Sequence, residues 1–189
     1  MNRFAHLDPV TTTGPAKSLF DTVQAKLGGV PNLFRVLGNA PAALNGYLDL
    51  SAALAGGSFD AKLRERIALA VAEINQCGYC LSAHTFIGRK LGLSGQDIAD
   101  ARHANATDAR TDAILKLARS IVVQRGELGG AGPERARAAG LTDGEVIETV
   151  ANVALNIFSN YVNHIAGTTI DFPEVEPGNG YVAPNCNCA

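Results

Sequence analysis

Glycine and proline cut this Ala- and Leu-rich chain into stretches with helical spacing, and no run of alternating β-branched residues stands between the cuts. A chain punctuated in this way predicts an all-α fold, an α-helical bundle, rather than any sheet. A first helix is expected from about Pro15 to Leu27, ended by Gly28-Gly29, with a short helix near Asn32 to Leu37 after it. Pro41 suits a first helical position, and that helix runs to about Ala55 before Gly56-Gly57. Asp60 is a good N-cap for a segment whose apolar residues Leu63, Ile67, Ala70, Val71 and Ile74 recur at helical spacing. That segment delivers the chain to Cys77, and helical spacing resumes from there to Leu91. Further helices are expected at about Gly95 to His103, Asp108 to Arg125, Pro133 to Ala139 and Asp143 to His164.

Two of these helix starts resemble each other. Thr142 and Glu145 form a capping box, each satisfying an amide of the other; Ser94 and Asp97 form a weaker version with the shorter acid. A single offset also aligns Glu65 with Glu145, Ile67 with Ile147 and His84 with His164, the trace an internal duplication would leave. After Asp171 the chain changes character. Pro173, Pro177 and Pro184 interrupt it and its charges are all acidic, so residues 1–172 read as one domain and 173–189 as an extended tail, ordered only where it lies on a neighbour.

Apolar residues make up 47% of the 189, enough for a core, while charged residues are only 18%. Soluble domains usually carry about a quarter, so the surplus of apolar surface points to self-association. The net charge is -2 with no basic run, which sets nucleic acid aside, because that partner needs a Lys and Arg cluster to displace counterions. No apolar stretch approaches the roughly 18–20 residues that span a bilayer, and Met1 to Thr13 has no apolar signal core. The expectation is a cytoplasmic protein with no membrane partner.

The chemistry concentrates between Glu73 and His84. Cys77 and Cys80 stand as C-x-x-C with His84 one turn beyond, and a second pair, Cys186 and Cys188, stands as C-x-C near the C-terminus. On one continuous helix, Glu73, Cys77, Cys80 and His84 would share a face. Asn75 and Gly78 could instead break the helix and leave Cys77 at the start of a new one, where the partial positive charge of a helix terminus favours a thiolate. A free thiol titrates near pH ~8.5, and helix termini, cationic neighbours or a C-x-x-C setting bring it to roughly 3.5–7.5. Such a thiolate attacks a peroxide oxygen to give a sulfenic acid, which a second thiol three residues away condenses to a disulfide. Two other readings remain open on the residues alone. The thiols with His84 could supply three zinc ligands, with Cys186 and Cys188 able to complete the set, or the thiols could be inert. Glu65, between Arg64 and Arg66, reads by itself as a surface charge, and Glu73 as a polar neighbour of the thiols or a solvated acid.

Leu63-Arg64-Glu65-Arg66, Glu73 and Cys77-Gly-Tyr-Cys80-x-x-x-His84 together resemble the AhpD-like alkylhydroperoxidases of the carboxymuconolactone decarboxylase superfamily. Asn163-His164-Ile-Ala-Gly and Asp171-Phe172-Pro173 extend the likeness over roughly residues 15–172. The resemblance implies an AhpD-like helical fold assembled as trimers or hexamers, and a thiol peroxidase that reduces small hydroperoxides without a cofactor or metal. It implies Cys80 as the peroxidatic thiol, Cys77 as the resolving thiol, His84 as the proton relay and Glu65 as the catalytic glutamate. It further implies a dithiol reductant of the dihydrolipoyl type. The family's well-known enzyme has a histidine immediately before its second cysteine; here that residue is Tyr79. The decarboxylase branch does not depend on a C-x-x-C pair.

Asn152, Asn156, Asn160 and Asn163 fall near one face of the last long helix, with His164 adjoining. Four amides in an apolar helix need partners if buried. Either they face the thiols and line a pocket, or they bond between helices or subunits. Tyr79, Glu73, Asn160 and His164 are thus candidate substrate-binding residues. Two alternative functions stand beside the peroxidase. One is a decarboxylase or isomerase acting on a small carboxylated lactone, with His84 or His164 as general base. The other is a redox-sensing oligomer without turnover.

Overall fold

The fold is organised around a helix whose central stretch is wholly apolar. The structure, a computed structural model, describes residues 3–178. Those residues form α-helices and no strand: α1 (Pro15–Leu27), α2 (Asn32–Leu37), α3 (Pro41–Ala55), α4 (Ala61–Ile74), α5 (Gly78–Lys90), α6 (Gly95–Arg102), α7 (Ala109–Val123), α8 (Ala131–Ala138) and α9 (Asp143–Ala166). In α4, Ile67 to Ala72 are buried on every side. The small Ala68, Ala70 and Ala72 let α5, α6, α7 and α9 pack closely around it. Ile114, Leu115, Leu81 and Leu44 complete a core whose middle layer is α4.

Local chemistry sets the ends of these elements. Asp60 caps α4 by accepting from Leu63 N at 2.8 Å. Both expected capping boxes are complete, and the Asp97 carboxylate reaches Ser94 N at 2.9 Å as Glu145 reaches Thr142 N at 2.7 Å. The shorter acid therefore serves as well as the longer one. α8 begins two residues before Pro133, which sits in the first turn, where no amide is needed. α9 runs past His164 to Ala166 and stops at Gly167, whose φ of 61° is left-handed.

The members of the three offset-matched pairs do different work. Glu65 bonds His84 whereas Glu145 caps α9 and pairs with Arg110. Ile67 is buried while Ile147 is exposed, and His164 bonds Asn75 O.

Residues 168–178 cross the domain as a strap. Asp171 accepts from Asn32 N at 2.7 Å and Phe172 packs against Tyr79 and Phe86. Val175 N donates to Ser82 Oγ at 2.9 Å, and Gly178 N donates to Glu73 Oε1 at 2.6 Å. The strap thus rests on α5 and the end of α4, where Ser82 and Glu73 offer acceptors to its amides. Cys186 and Cys188 lie outside the described residues. Among the described residues no helix is long and apolar enough to cross a membrane.

Candidate active site

α4 and α5 are separate helices, and the break between them creates the site. Asn75 closes α4, Gln76 takes a left-handed φ of 55°, and Cys77 is the extended N-cap of α5. A non-glycine residue pays strain at positive φ; the Gln76 amide bonding Glu73 O at 2.8 Å helps to hold it there. Cys77 N donates to Ala72 O, so the turn closes tightly. Cys77 Sγ accepts from Cys80 N at 3.4 Å, the bond a capping side chain makes. The two sulfurs lie 2.8 Å apart and share a hydrogen bond as free thiols.

The break parts Glu73 from the other three residues. Glu73 is buried, but it faces Arg102 Nε at 2.7 Å and Gly178 N. It anchors the strap and is not among the residues lining the cavity described next.

A cavity of about 360 Å3 lies over α5. Its apolar wall includes Val23, Leu33, Phe34, Leu48, Leu54 and Ile87, from α1, α2, α3 and α5. Its polar side presents Cys80, His84, Glu65, Tyr47, Asn152 and Asn156. Cys80 is 2% exposed and Cys77 1%, and only Cys80 lines the cavity. A small molecule that enters therefore meets Cys80 first, with Cys77 behind it.

Glu65 and His84 come together across the α4–α5 interface, Oε2 to Nδ1 at 2.7 Å. Burial works against a charged imidazole, but the charge of Glu65 and its hydrogen bond outweigh it and raise the pKa of His84. Cys77 is held below the ordinary thiol value, first by the hydrogen bond from Cys80, with the Cys80 amide and the His84 charge adding to it against burial. Cys80 is pushed well up by burial and by sharing its hydrogen with Cys77; the Asn163 and Asn160 amides pull the other way. The first negative charge on this pair thus rests on Cys77.

Tyr79 lines the cavity, and its hydroxyl accepts from Leu33 N at 3.1 Å, locking α5 to α2. Burial raises its pKa. Asn152 and Asn156 line the cavity, whereas Asn160 and His164 do not. Asn160 accepts from Asn75 Nδ2 at 2.9 Å, and the His164 ring meets Asn75 O at 2.8 Å, so both clasp the turn before Cys77. The Asn face of α9 therefore both lines the pocket and bonds between helices. One feature, Tyr47, had no signal in the sequence. Tyr47, a lone tyrosine in an Ala/Leu helix, sits in the cavity with its pKa raised by burial and by the charges of Cys80 and Glu65. Asn163 Nδ2 donates to Cys80 Sγ at 3.2 Å. Among the described residues no group of three or more His, Cys, Asp or Glu side chains is placed to hold a metal ion.

Comparison with known proteins finds a family profile and several solved structures similar to this chain. The sequence profile of the carboxymuconolactone decarboxylase family matches residues 41–124, from the start of α3 to the end of α7, a span that holds both thiols, Glu65 and His84. A solved peroxidase-related protein from Ralstonia eutropha JMP134, described as an alkylhydroperoxidase AhpD core, is 26% identical. The match covers 90% of this chain and 92% of that one with a TM-score of 0.77. A peroxidase-related protein from Silicibacter sp. TM1040 is 24% identical over 88% of this chain and 89% of that one, with a TM-score of 0.75. The debrominase Bmp8, solved in complex with 2,3,4-tribromopyrrole, shares the fold at 16% identity, 90% and 94% coverage and a TM-score of 0.74. Comparison with curated proteins gave no match. The family profile thus lies over the thiol site, and the chain shares its fold almost end to end with an AhpD-core protein.

Proposed function

We propose that this protein is a dithiol peroxidase that reduces small organic hydroperoxides in the cavity over α5. The observation that carries the reading is the placement of Cys80 on the cavity wall with Cys77 Sγ 2.8 Å behind it and the Glu65–His84 pair on the same wall. Cys80 Sγ attacks the terminal peroxide oxygen as a thiolate. An S–O bond forms, the O–O bond breaks, and the leaving alkoxide takes a proton from His84. Cys80 is then a sulfenic acid. Cys77 gives its proton to the His84 just neutralised and attacks the Cys80 sulfur as a thiolate; the S–S bond forms, and the hydroxide that leaves takes that proton from His84 to become water. Two sulfurs already in contact need only close to about 2.05 Å. An external dithiol, of the lipoyl type that the family likeness suggests, restores both thiols by exchange. The mechanism uses no metal or cofactor.

The apolar cavity wall supports an alkyl or aryl hydroperoxide over hydrogen peroxide. Self-association as a homo-oligomer is supported by an exposed apolar stripe on α9, formed by Ile147, Val150, Phe158, Tyr161 and Ile165.

The test is peroxide consumption with a dithiol donor. Cys80→Ser should abolish it, and Cys77→Ser should leave a single trappable sulfenate on Cys80. Full turnover by Cys80→Ser would sink the assignment. The family's name suggests a rival, a decarboxylase acting on a carboxylated lactone, and His84 lines the cavity to serve it as base. Lactone turnover that persists with both cysteines changed to Ser would move the reading there. Rapid Cys80 oxidation without sustained turnover would move it to a redox sensor.

A further inference from the structure

The four buried asparagines of α9 are not used alike. Asn152 and Asn156 spend their amide hydrogens on their own helix, donating to Glu148 O at 2.9 Å and Asn152 O at 2.8 Å. Asn163 Nδ2 instead donates to Cys80 Sγ at 3.2 Å. Asn160 is fully buried, and its Oδ1 is taken by Asn75 Nδ2 at 2.9 Å, which fixes the amide and leaves Nδ2 without a hydrogen-bond partner. A buried amide hydrogen without an acceptor is disfavoured and calls for an explanation. A negative charge arriving on the neighbouring sulfur supplies one.

We propose that Asn163, with Asn160 beside it, is a catalytic amide pair that draws the negative charge of the dithiol from Cys77 onto Cys80, the sulfur that faces the cavity. The inference rests on the peroxidase reading of this site and adds a group to it. In the reduced pair the α5 terminus holds the charge on Cys77, which does not line the cavity. For Cys80 to attack, its proton crosses to Cys77 along the hydrogen bond that joins them. One S–H bond breaks and the other forms; no proton leaves the pair and no electron moves. The new thiolate needs donors. The titratable groups around it are Cys77, His84 on α5, Glu65 and Arg64 on α4, Tyr47 on α3, Lys26 on α1 and Tyr79. Of the cations, His84 is held by Glu65 and Arg64 donates to Phe59 O. The α9 amides are donors that carry no proton of their own to exchange, so they favour the charged sulfur without competing for its proton.

The test isolates Cys80 in a Cys77→Ser background and follows its alkylation by iodoacetamide against pH by intact-mass spectrometry. Asn163→Leu should move the half-point up by about one pH unit, a roughly tenfold loss of thiolate at neutral pH. Asn163→Asp, which keeps the shape and loses the donor, should move it the same way, and Asn160→Leu less far. Thr149→Val, a buried polar change on the same helix that touches neither sulfur, should leave the profile in place. If Asn163→Leu and Asn163→Asp keep their helical circular dichroism and titrate like the parent, the inference is overturned. It is also overturned if Thr149→Val shifts as much. Alkylation requires no peroxide. A shift with these variants alongside a wild-type chain that reduces no hydroperoxide would therefore refute the peroxidase and keep the charge-placing amides.

Discussion

His84 keeps its proton at a pH where an ordinary imidazole gives it up, because the Glu65 carboxylate 2.7 Å away outweighs the burial of the ring. The folded value stands above the unfolded one of about 6.5. Whatever the ion pair contributes to stability is therefore fully present below that pH and is lost as pH rises through the raised value. Glu65→Gln leaves only the Cys77 charge to oppose burial, so His84 should titrate below the wild-type midpoint by histidine NMR, and the alkaline limb of peroxide reduction should fall with it. An unmoved midpoint would show that the carboxylate does not hold the proton. Glu65 alone, flanked by arginines, reads as a surface charge. Only the family likeness singled Glu65 out, because its partner His84 is on another helix.

At the scale of elements, caps and breaks decide where side chains end up. The boxes at Ser94 and Thr142 satisfy amides that helix starts leave open. Thr142→Ala or Ser94→Ala should each cost about 1 kcal/mol in chemical denaturation, and a loss near zero for both would mean that water replaces them freely. These starts were plain in the sequence, since a cap needs only its own first turn. The turn at residues 75–77 was not. Asn75 and Gly78 mark a possible break, yet the left-handed residue is Gln76, which carries no such signal. That turn decides that Cys77 is a cap, that Cys80 N donates to it, and that Glu73 leaves the thiols to hold the strap.

For the molecule as a whole, α9 is amphipathic in an unusual sense. Its buried face carries Asn152, Asn156, Asn160 and Asn163, while Ile147, Tyr161 and Ile165 on its outer face are 68%, 54% and 59% exposed. The inward amides are occupied by the thiols, the cavity and the turn. The outward stripe fits the low charge content of the chain and suits a second copy. Tyr161→Lys with Ile165→Lys should shift the protein to monomer in light scattering after gel filtration, and a wild-type chain that is already monomeric at micromolar concentration would dismiss self-association. From the sequence alone came the all-α architecture, most helix bounds and the C-x-x-C pair with a histidine one turn on, because spacing within a helix dictates which residues share a turn. Only tertiary packing decided that Glu65 meets His84, that Asn163 meets Cys80, that the strap lies on α5, and that Cys80 rather than Cys77 faces the cavity. Those contacts join residues on different elements, and burial, which sets both their partners and their charges, is a property of the packed chain that no local pattern states.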